Sequence, residues 1–102
     1  MLESDIQRDI IKYLESQGYF VFRMNAGKVK YNVKLSFPGT PDLLCLTGEG
    51  KLLFIEVKMP GKKLSDIQSK MHLELKKRGY DVIVAYSLEE VITYLSHTCG
   101  YT

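Results

Sequence analysis

The spacing of apolar residues changes between a helical and a strand period along the chain, and these changes divide it into successive elements. Three segments repeat their apolar residues every three or four positions, as expected for helices with one buried face. We predict these helices over residues 4–17, 65–78 and 87–97. Each begins with Ser followed three residues later by Gln or Glu, which predicts a capping box. Gly18 and Gly79 follow the first two as stop signals.

The middle helix and the two histidines carry specific expectations. The apolar residues that we expect this helix to bury are Leu64, Ile67, Met71 and Leu75. His72 and His97 lie on separate predicted helices without the spacing of metal ligands. We therefore expect both histidines to be surface or partly buried residues.

The remaining apolar segments are short and have the composition of β-strands. Residues 19–24 are aromatic and β-branched, and residues 81–86 form a continuous apolar run of the kind found in central or parallel strands. Residues 43–46 precede a Gly-rich turn at 47–50 and a second apolar run, which predicts a hairpin. Residues 25–36 alternate lysines with apolar residues, a pattern compatible with a short ribbon or with a mobile loop.

The predicted order is helix, strand, ribbon or loop, hairpin, helix, strand and helix. A hairpin followed by a helix and a strand predicts a mixed sheet with a crossover helix packed on one face. We therefore predict an α/β fold in which helices flank a mixed sheet. A chain of 102 residues can form one core but not two, so residues 1–102 are expected to be a single domain.

The hairpin has a register that brings two acids together. Side chains on directly opposed residues share a face of the sheet. Pairing Asp42 with Glu56 also pairs Leu44 with Phe54, and it leaves residues 48–50 as a three-residue loop, a common hairpin length. The sequence therefore permits two carboxylates to lie side by side at one end of a hairpin.

These acids are accompanied by a lysine that projects in the same direction. Alternation along a strand places Glu56 and Lys58 on one face, next to Asp42. Mg²⁺ prefers oxygen ligands and retains several waters, so two carboxylates and the main-chain carbonyl of Val57 would be sufficient protein ligation. Lys58 would then orient or deprotonate a water, or stabilise charge on a phosphate that is attacked. The arrangement suits phosphodiester hydrolysis assisted by a divalent metal.

The distribution of charge says more about partners than the net charge of +2 does. No acid lies between Glu15 and Asp42, and several basic residues fall there or just after the hairpin. The lysines that would contact a phosphate backbone are Lys28, Lys30, Lys34, Lys62 and Lys63. A basic stripe that is only solvated explains the same charges equally well.

The cysteines and the N-terminus bear on the compartment. Cys45 and Cys99 lack the spacing of a zinc site or a disulfide framework, which fits a reducing cytoplasm. No apolar run approaches membrane-spanning length, and the first residues lack the pattern of a signal peptide. We therefore expect a cytoplasmic protein that does not associate with membranes.

Several short motifs occur together in an order that is typical of one nuclease family. They are Glu3 and Gln7 on the first helix, Gly39-Thr40-Pro41-Asp42, Phe54-Ile55-Glu56-Val57-Lys58, Leu64 to Gln68, and Gly79-Tyr80-Asp81-Val82. In these motifs the chain resembles the VRR-NUC (virus-type replication–repair nuclease) family of the PD-(D/E)xK nuclease superfamily. The resemblance extends over most of the chain and implies the superfamily's restriction-endonuclease-like αβββαβ core, here followed by a C-terminal helix.

The resemblance also implies roles for individual residues. Asp42, Glu56 and the Val57 carbonyl would bind Mg²⁺, for which Mn²⁺ would substitute, and Lys58 would be catalytic. Glu3 matches an N-terminal acid that completes the metal site, although its position alone is also explained by the preference for acids at helix N-termini. Gln68 matches a glutamine beside the site.

Small members of this family are typical of phages, resemble Holliday-junction resolvases in cutting branched DNA and form homodimers, so the resemblance implies a phage or bacterial intracellular protein. The resemblance therefore implies a metal-dependent endonuclease that acts on branched DNA as a homodimer. The alternative is a non-catalytic DNA-binding or assembly module with the same fold. Such a module would be expected to have lost an acid or the lysine, and all of these are present. Within the nuclease class, an archaeal-type junction resolvase and a restriction-like enzyme also remain open.

Overall fold

The computed structural model describes residues 2–24 and 38–97, in which helices and strands follow each other in the predicted order. The elements are α1 (Glu3–Ser16), β1 (Phe20–Arg23), β2 (Leu43–Gly48), β3 (Lys51–Val57), α2 (Asp66–Lys77), β4 (Asp81–Ala85) and α3 (Leu88–His97). This is an αβββαβ arrangement with a helix after it, so the predicted α/β fold is confirmed. The ribbon or loop considered for residues 25–36 lies outside the described residues.

The strands form a mixed sheet with the order β1-β2-β3-β4. β1 and β2 are antiparallel, as are β2 and β3, whereas β3 and β4 are parallel. A parallel pair needs a long crossover connection. Here that connection contains α2, as the sequence predicted.

The hairpin of β2 and β3 has the predicted register but a shorter turn. Leu44 pairs with Phe54 as expected, whereas Gly48 pairs with Lys51 after a register shift, so the predicted three-residue loop is wrong. The shift places one extra residue in β2, as a β-bulge does, and leaves two residues, 49 and 50, in the turn. Both have positive φ, at 54° and 78°, which is the requirement of a type I′ hairpin turn.

The beginning of α1 also differs from the prediction. The helix starts at Glu3, so Ser4 lies within its first turn and cannot be the N-cap. Asp5 takes over the capping role, because its Oδ2 accepts a hydrogen bond from the backbone N–H of Leu2 at 2.8 Å. A charged acceptor near the helix N-terminus is also favoured by the helix dipole.

The main core lies on one face of the sheet. α1 and α3 pack there against alternate residues of the two central strands, and none of the members of this cluster comes from α2. Its buried members are Ile6, Ile10, Leu14, Leu43, Cys45, Leu53, Ile55, Val57, Ala85, Val91 and Leu95. Burial raises the pKa of the Cys45 thiol to about 11, so this cysteine is a neutral core residue.

α2 lies against the other face and does not bury the residues expected of it. Ile67 is 55% exposed, and the buried residue of this helix is His72, with 5% of its surface exposed. The expectation that His72 lies on or near the surface is therefore wrong. Among the described helices, none has the length and apolarity needed to cross a membrane.

Candidate functional site

Two carboxylates lie side by side at the open end of the β2–β3 hairpin, away from its turn. Asp42 immediately precedes β2, and Glu56 is the penultimate residue of β3. Leu43 pairs with Ile55, so the next pair in the same register is Asp42 and Glu56. This register places the two side chains next to each other, and a hydrogen bond with Asp42 is among the causes that raise the pKa of Glu56.

Asp42 is fixed by the backbone of the neighbouring strand. Its Oδ2 accepts a hydrogen bond from the backbone N–H of Val57 at 2.8 Å. The preceding residue, Pro41, is fully buried. A rigid proline and a charge-assisted hydrogen bond together restrict where this carboxylate can point.

Glu56 is a buried acid, with 2% of its surface exposed. The pKa of Glu56 is raised to about 9. Burial is the largest cause, the hydrogen bond and the charge of Asp42 act in the same direction, and the charge of Lys58 acts against them. Two carboxylates in contact cannot both ionise easily without a counter-charge. With a pKa of about 9, Glu56 is protonated at neutral pH in the absence of a cation.

His72 reaches the same pair from α2. Its Nε2 lies 3.2 Å from Oε1 of Glu56, and the two share a hydrogen bond whose direction depends on the protonation of both groups. Burial is the main cause that lowers the pKa of His72, and the charge of Lys76 lowers it further. A neutral imidazole is consequently favoured at neutral pH.

His72 is the residue of the site that sequence reasoning missed. Neither histidine has the spacing of metal ligands, so the sequence gives the same expectation for His72 and His97, namely a surface or partly buried residue. The available signal was periodicity: His72 follows Gln68 by four residues, and residues at this separation share a helix face. A helix expected to direct Gln68 towards the carboxylates would therefore direct His72 there as well.

Lys58 follows the last residue of β3 and is half-buried. Its backbone N–H donates to the carbonyl oxygen of Ala85 at 3.0 Å, so the backbone remains attached to β4 beyond the end of the strand. Its charge lowers the pKa of Glu56 and that of His72, which places the ammonium near both. Lys58 thus lies on the face of the sheet that the strand alternation predicted.

Gln68 and Glu3 are placed less directly. Gln68 takes part in the predicted capping box of α2: its Oε1 accepts the N–H of Ser65 at 2.9 Å, and its own N–H donates to Ser65 Oγ at 3.1 Å. Its side-chain oxygen is thereby used to begin the helix. Glu3 is exposed at the start of α1, and its charge is among the causes that raise the pKa of Glu56.

Gly39 positions α2 relative to the segment that carries Asp42. Its φ is 84°, and a Cβ placed on it would lie 2.6 Å from the carbonyl oxygen of Ile67. Only glycine combines this backbone conformation with such a close approach to another backbone. The first turn of α2 therefore rests directly on the Gly-Thr-Pro-Asp motif, three residues before Asp42.

Two of the five candidate DNA-binding lysines can be placed. Lys62 and Lys63 are exposed on the connection between β3 and α2. The hydroxyl of Tyr86 donates to the carbonyl oxygen of Lys62 at 3.0 Å, which holds this connection next to β4. Lys28, Lys30 and Lys34 lie outside the described residues.

The donor set suits a hard cation with few protein ligands. Among residues 2–24 and 38–97, no three His, Cys, Asp or Glu side chains converge as a metal-binding group. The site instead offers two adjacent carboxylates beside a strand whose carbonyls are close, which is sufficient for Mg²⁺ that keeps several waters. The raised pKa of Glu56 beside Asp42 supports this fit, because a divalent cation would replace the proton of Glu56 as the counter-charge.

Comparisons with known proteins indicate the family of this chain. A family profile described as "VRR-NUC domain" matches residues 26–89. A solved structure described as "VRR_NUC domain" superposes with a TM-score of 0.77 and 27% sequence identity, covering 93% of this chain and 95% of that one. "Putative nuclease p44" of Acyrthosiphon pisum secondary endosymbiont phage 1 is 41% identical over 46 residues, which are 45% of this chain and 50% of that protein. The matched region thus spans half the length of this relative. The chain belongs to the VRR-NUC family.

Proposed function

We propose that this protein is a divalent-metal-dependent endodeoxyribonuclease that hydrolyses phosphodiester bonds in branched DNA, such as Holliday junctions. The observation that carries the proposal is the contact between the carboxyl groups of Asp42 and Glu56, next to Lys58. Membership of the VRR-NUC family and the similarity to a phage protein named as a nuclease support it. A phage relative also fits action inside a bacterial cell.

Asp42 and Glu56 would hold the cation, with the main-chain carbonyl of Val57 as a third ligand and Glu3 completing the site. Mg²⁺ is the ion that suits an all-oxygen set, and Mn²⁺ would substitute for it. When bound, such an ion lowers the pKa of a coordinated water and stabilises negative charge on the phosphate. The Val57 N–H donates to Oδ2 of Asp42, which helps to fix the orientation of this carboxylate.

Lys58 has the role of a cationic helper at the scissile phosphate. Its ammonium orients the attacking water or stabilises the pentacovalent phosphate, or its deprotonated amine accepts the proton of the water. Gln68 is assigned a supporting role because it precedes His72 by one helical turn on the face that meets the carboxylates. Lys62 and Lys63 extend from the same end of the sheet and are assigned to the DNA backbone.

Cleavage of defined DNA tests the proposal. Purified protein with Mg²⁺ or Mn²⁺ is expected to cut four-way junctions faster than flaps, and flaps faster than linear duplex. Asp42→Asn keeps an acceptor for the Val57 N–H but loses the charge, and Lys58→Ala removes the ammonium. Each is expected to reduce cleavage by at least about 100-fold, which corresponds to roughly 3 kcal/mol, while DNA binding is largely retained.

A matched control is Lys12→Ala, because Lys12 is an exposed lysine on α1. It is expected to leave cleavage unchanged. Undiminished cleavage by both Asp42→Asn and Lys58→Ala would refute the assignment of the site. Retained DNA binding without any divalent-cation binding or cleavage in the unsubstituted protein would instead favour the non-catalytic module.

We further propose that the active form is a homodimer, since a four-way junction presents symmetry-related strands that two identical sites can cut together. Light scattering of the free protein and of its junction complex tests this. Two copies per junction are expected, whereas one copy in both samples would contradict the proposal.

A further inference from the structure

Glu56 and His72 are the buried residues of the described chain that carry polar or charged side chains, with 2% and 5% of their surfaces exposed. They come from different elements, β3 and α2, and contact each other at 3.2 Å. Burying such groups costs free energy even when they are hydrogen-bonded to each other. Apolar residues at both positions would avoid that cost, so the pair calls for a reason beyond stability.

The histidine ring is held by the way α2 is attached to the sheet. The first turn of the helix rests on Gly39, and its N-terminus is closed by the reciprocal hydrogen bonds of Ser65 and Gln68. His72 lies on the second turn, where burial leaves its ring little freedom. Its Nε2 is therefore held in one position, and the contact with Oε1 restricts the orientation of the Glu56 carboxylate.

The contact leaves the two oxygens of Glu56 with different surroundings. Oε1 is the atom that meets His72, and the carboxyl group also contacts Asp42. A hydrogen bond to one oxygen fixes the rotation of the carboxylate plane. Partners of this kind orient metal-binding carboxylates in many proteins.

We propose that His72 is a positioning residue, which holds the Glu56 carboxylate through Oε1 in the orientation that binds the divalent cation together with Asp42. This rests on the proposed function of the site. His72 acts through Glu56 and does not itself bind the ion, because its Nε2 is engaged by Oε1 of Glu56.

Three variants and the unsubstituted protein test this role. His72→Leu keeps the bulk but removes the hydrogen bond, and His72→Gln restores an amide N–H close to the position of Nε2. The control His97→Gln changes the exposed histidine at the end of α3. Mn²⁺ affinity is measured by calorimetry, and thermal unfolding in EDTA reports whether each variant is folded.

The expected result is that His72→Leu weakens Mn²⁺ binding by about 10- to 100-fold without a matching loss of stability in EDTA. His72→Gln is expected to recover most of the affinity, and His97→Gln to bind as the unsubstituted protein does. A merely structural role would move stability and affinity together and would not be rescued by an amide. Unchanged Mn²⁺ affinity in folded His72→Leu would overturn the proposal.

A measurement without substitution covers the case in which His72→Leu does not fold. Titration of the unsubstituted protein with Mg²⁺ is followed by the ring ¹⁵N resonances of His72. They are expected to shift with the calorimetric affinity and to lack the change that direct ligation produces. Resonances that do not respond, or nitrogen coupling to bound Mn²⁺ in pulsed EPR, would reject the positioning role.

Failure of the wider proposal looks different from failure of this inference. An unsubstituted protein that neither binds Mn²⁺ nor cuts DNA refutes the proposed function. An unsubstituted protein that does both, alongside a His72→Leu variant that matches it, refutes only the role of His72.

Discussion

The two faces of the sheet differ in what they bury. Under α1 and α3, the buried contacts are apolar and include residues from both central strands. Under α2, Glu56 of β3 and His72 of the helix itself are buried, while Ile67 and Leu73 of the helix remain 55% and 58% exposed. One face is a closed hydrophobic core, and the other is a partly covered surface with a polar pair inside it.

This difference separates stability from chemistry within a small domain. The apolar face supplies most of the hydrophobic free energy that a domain of 102 residues needs. The α2 face holds two carboxyl groups in contact, which destabilises the metal-free fold and is where we propose that a cation binds. Functional sites commonly break the local rules of packing in this way.

The largest expected effect is the pH dependence of the free energy of unfolding that Glu56 causes. Its pKa in the folded protein, about 9, lies above the ordinary value of 4.5. The folded state therefore binds more protons than the unfolded state between these values, and stability falls as pH rises through this window. The slope from this group approaches about 1.4 kcal/mol per pH unit at most.

Glu56→Gln isolates this contribution, because glutamine has the shape of the protonated acid and does not titrate. Urea unfolding in EDTA is measured for both proteins from pH 4 to pH 9. Glu56→Gln is expected to be the more stable protein at pH 8 and to lose this advantage near pH 4. Saturating Mg²⁺ should reduce the advantage at pH 8. Parallel pH profiles in EDTA would mean that Glu56 does not carry a raised pKa.

The next effect compares neighbouring leucines on opposite faces of β3. Leu53 is 0% exposed within the main core, whereas Leu52 is half-buried on the α2 face. Leu53→Ala should lower the free energy of unfolding by about 2–5 kcal/mol, and Leu52→Ala should cost clearly less. Denaturant titration of both variants measures this. Equal losses would show that the two faces contribute alike.

A smaller effect concerns the attachment of α2. Gly39→Ala introduces a Cβ against Ile67 at a positive φ and should destabilise the protein by about 1–3 kcal/mol from backbone strain, with a further loss from the clash. Gly61 has a similar φ of 87° but open space around it, so Gly61→Ala measures the strain alone. Only Gly39→Ala should also weaken Mn²⁺ binding. If both variants bind Mn²⁺ normally, α2 does not position the site.

The smallest effect compares exposed lysines on different parts of the surface. Lys62→Ala and Lys63→Ala should each lower the salt dependence of DNA binding by slightly less than one released counterion. Lys12→Ala on α1 should leave it unchanged. Binding to a fluorescent junction at several salt concentrations measures these slopes. If Lys12→Ala lowers the salt dependence as much as Lys63→Ala does, the surface around Lys62 and Lys63 is not the one that contacts DNA.

The features that the sequence predicted correctly follow from local periodicity. Alternation along β3 placed Glu56 and Lys58 together, and the hairpin register followed from pairing Asp42 with Glu56. The order of helices and strands followed from the change between the two apolar periods. Each of these depends on neighbours in sequence or on one tight turn.

The features that sequence reasoning missed depend on contacts between distant segments. Periodicity alone places His72 on the same helix face as Gln68, but its burial against Glu56 depends on how closely α2 approaches the sheet. The N-terminus of α1 was misplaced because Asp5 competes with Ser4 for the capping role, and both residue types favour it. The turn of the hairpin was one residue too long because a bulge in β2 has no local signature here.

The central claim is that Asp42 and Glu56 hold one divalent cation between them. Crystals soaked in Mn²⁺ test it through anomalous diffraction at the manganese edge. The account expects a peak with at least one oxygen of each carboxylate at roughly 2.0–2.6 Å, accompanied by the Val57 carbonyl. A fully soaked crystal with no peak there, while the two carboxyl groups remain in contact with each other, would contradict it.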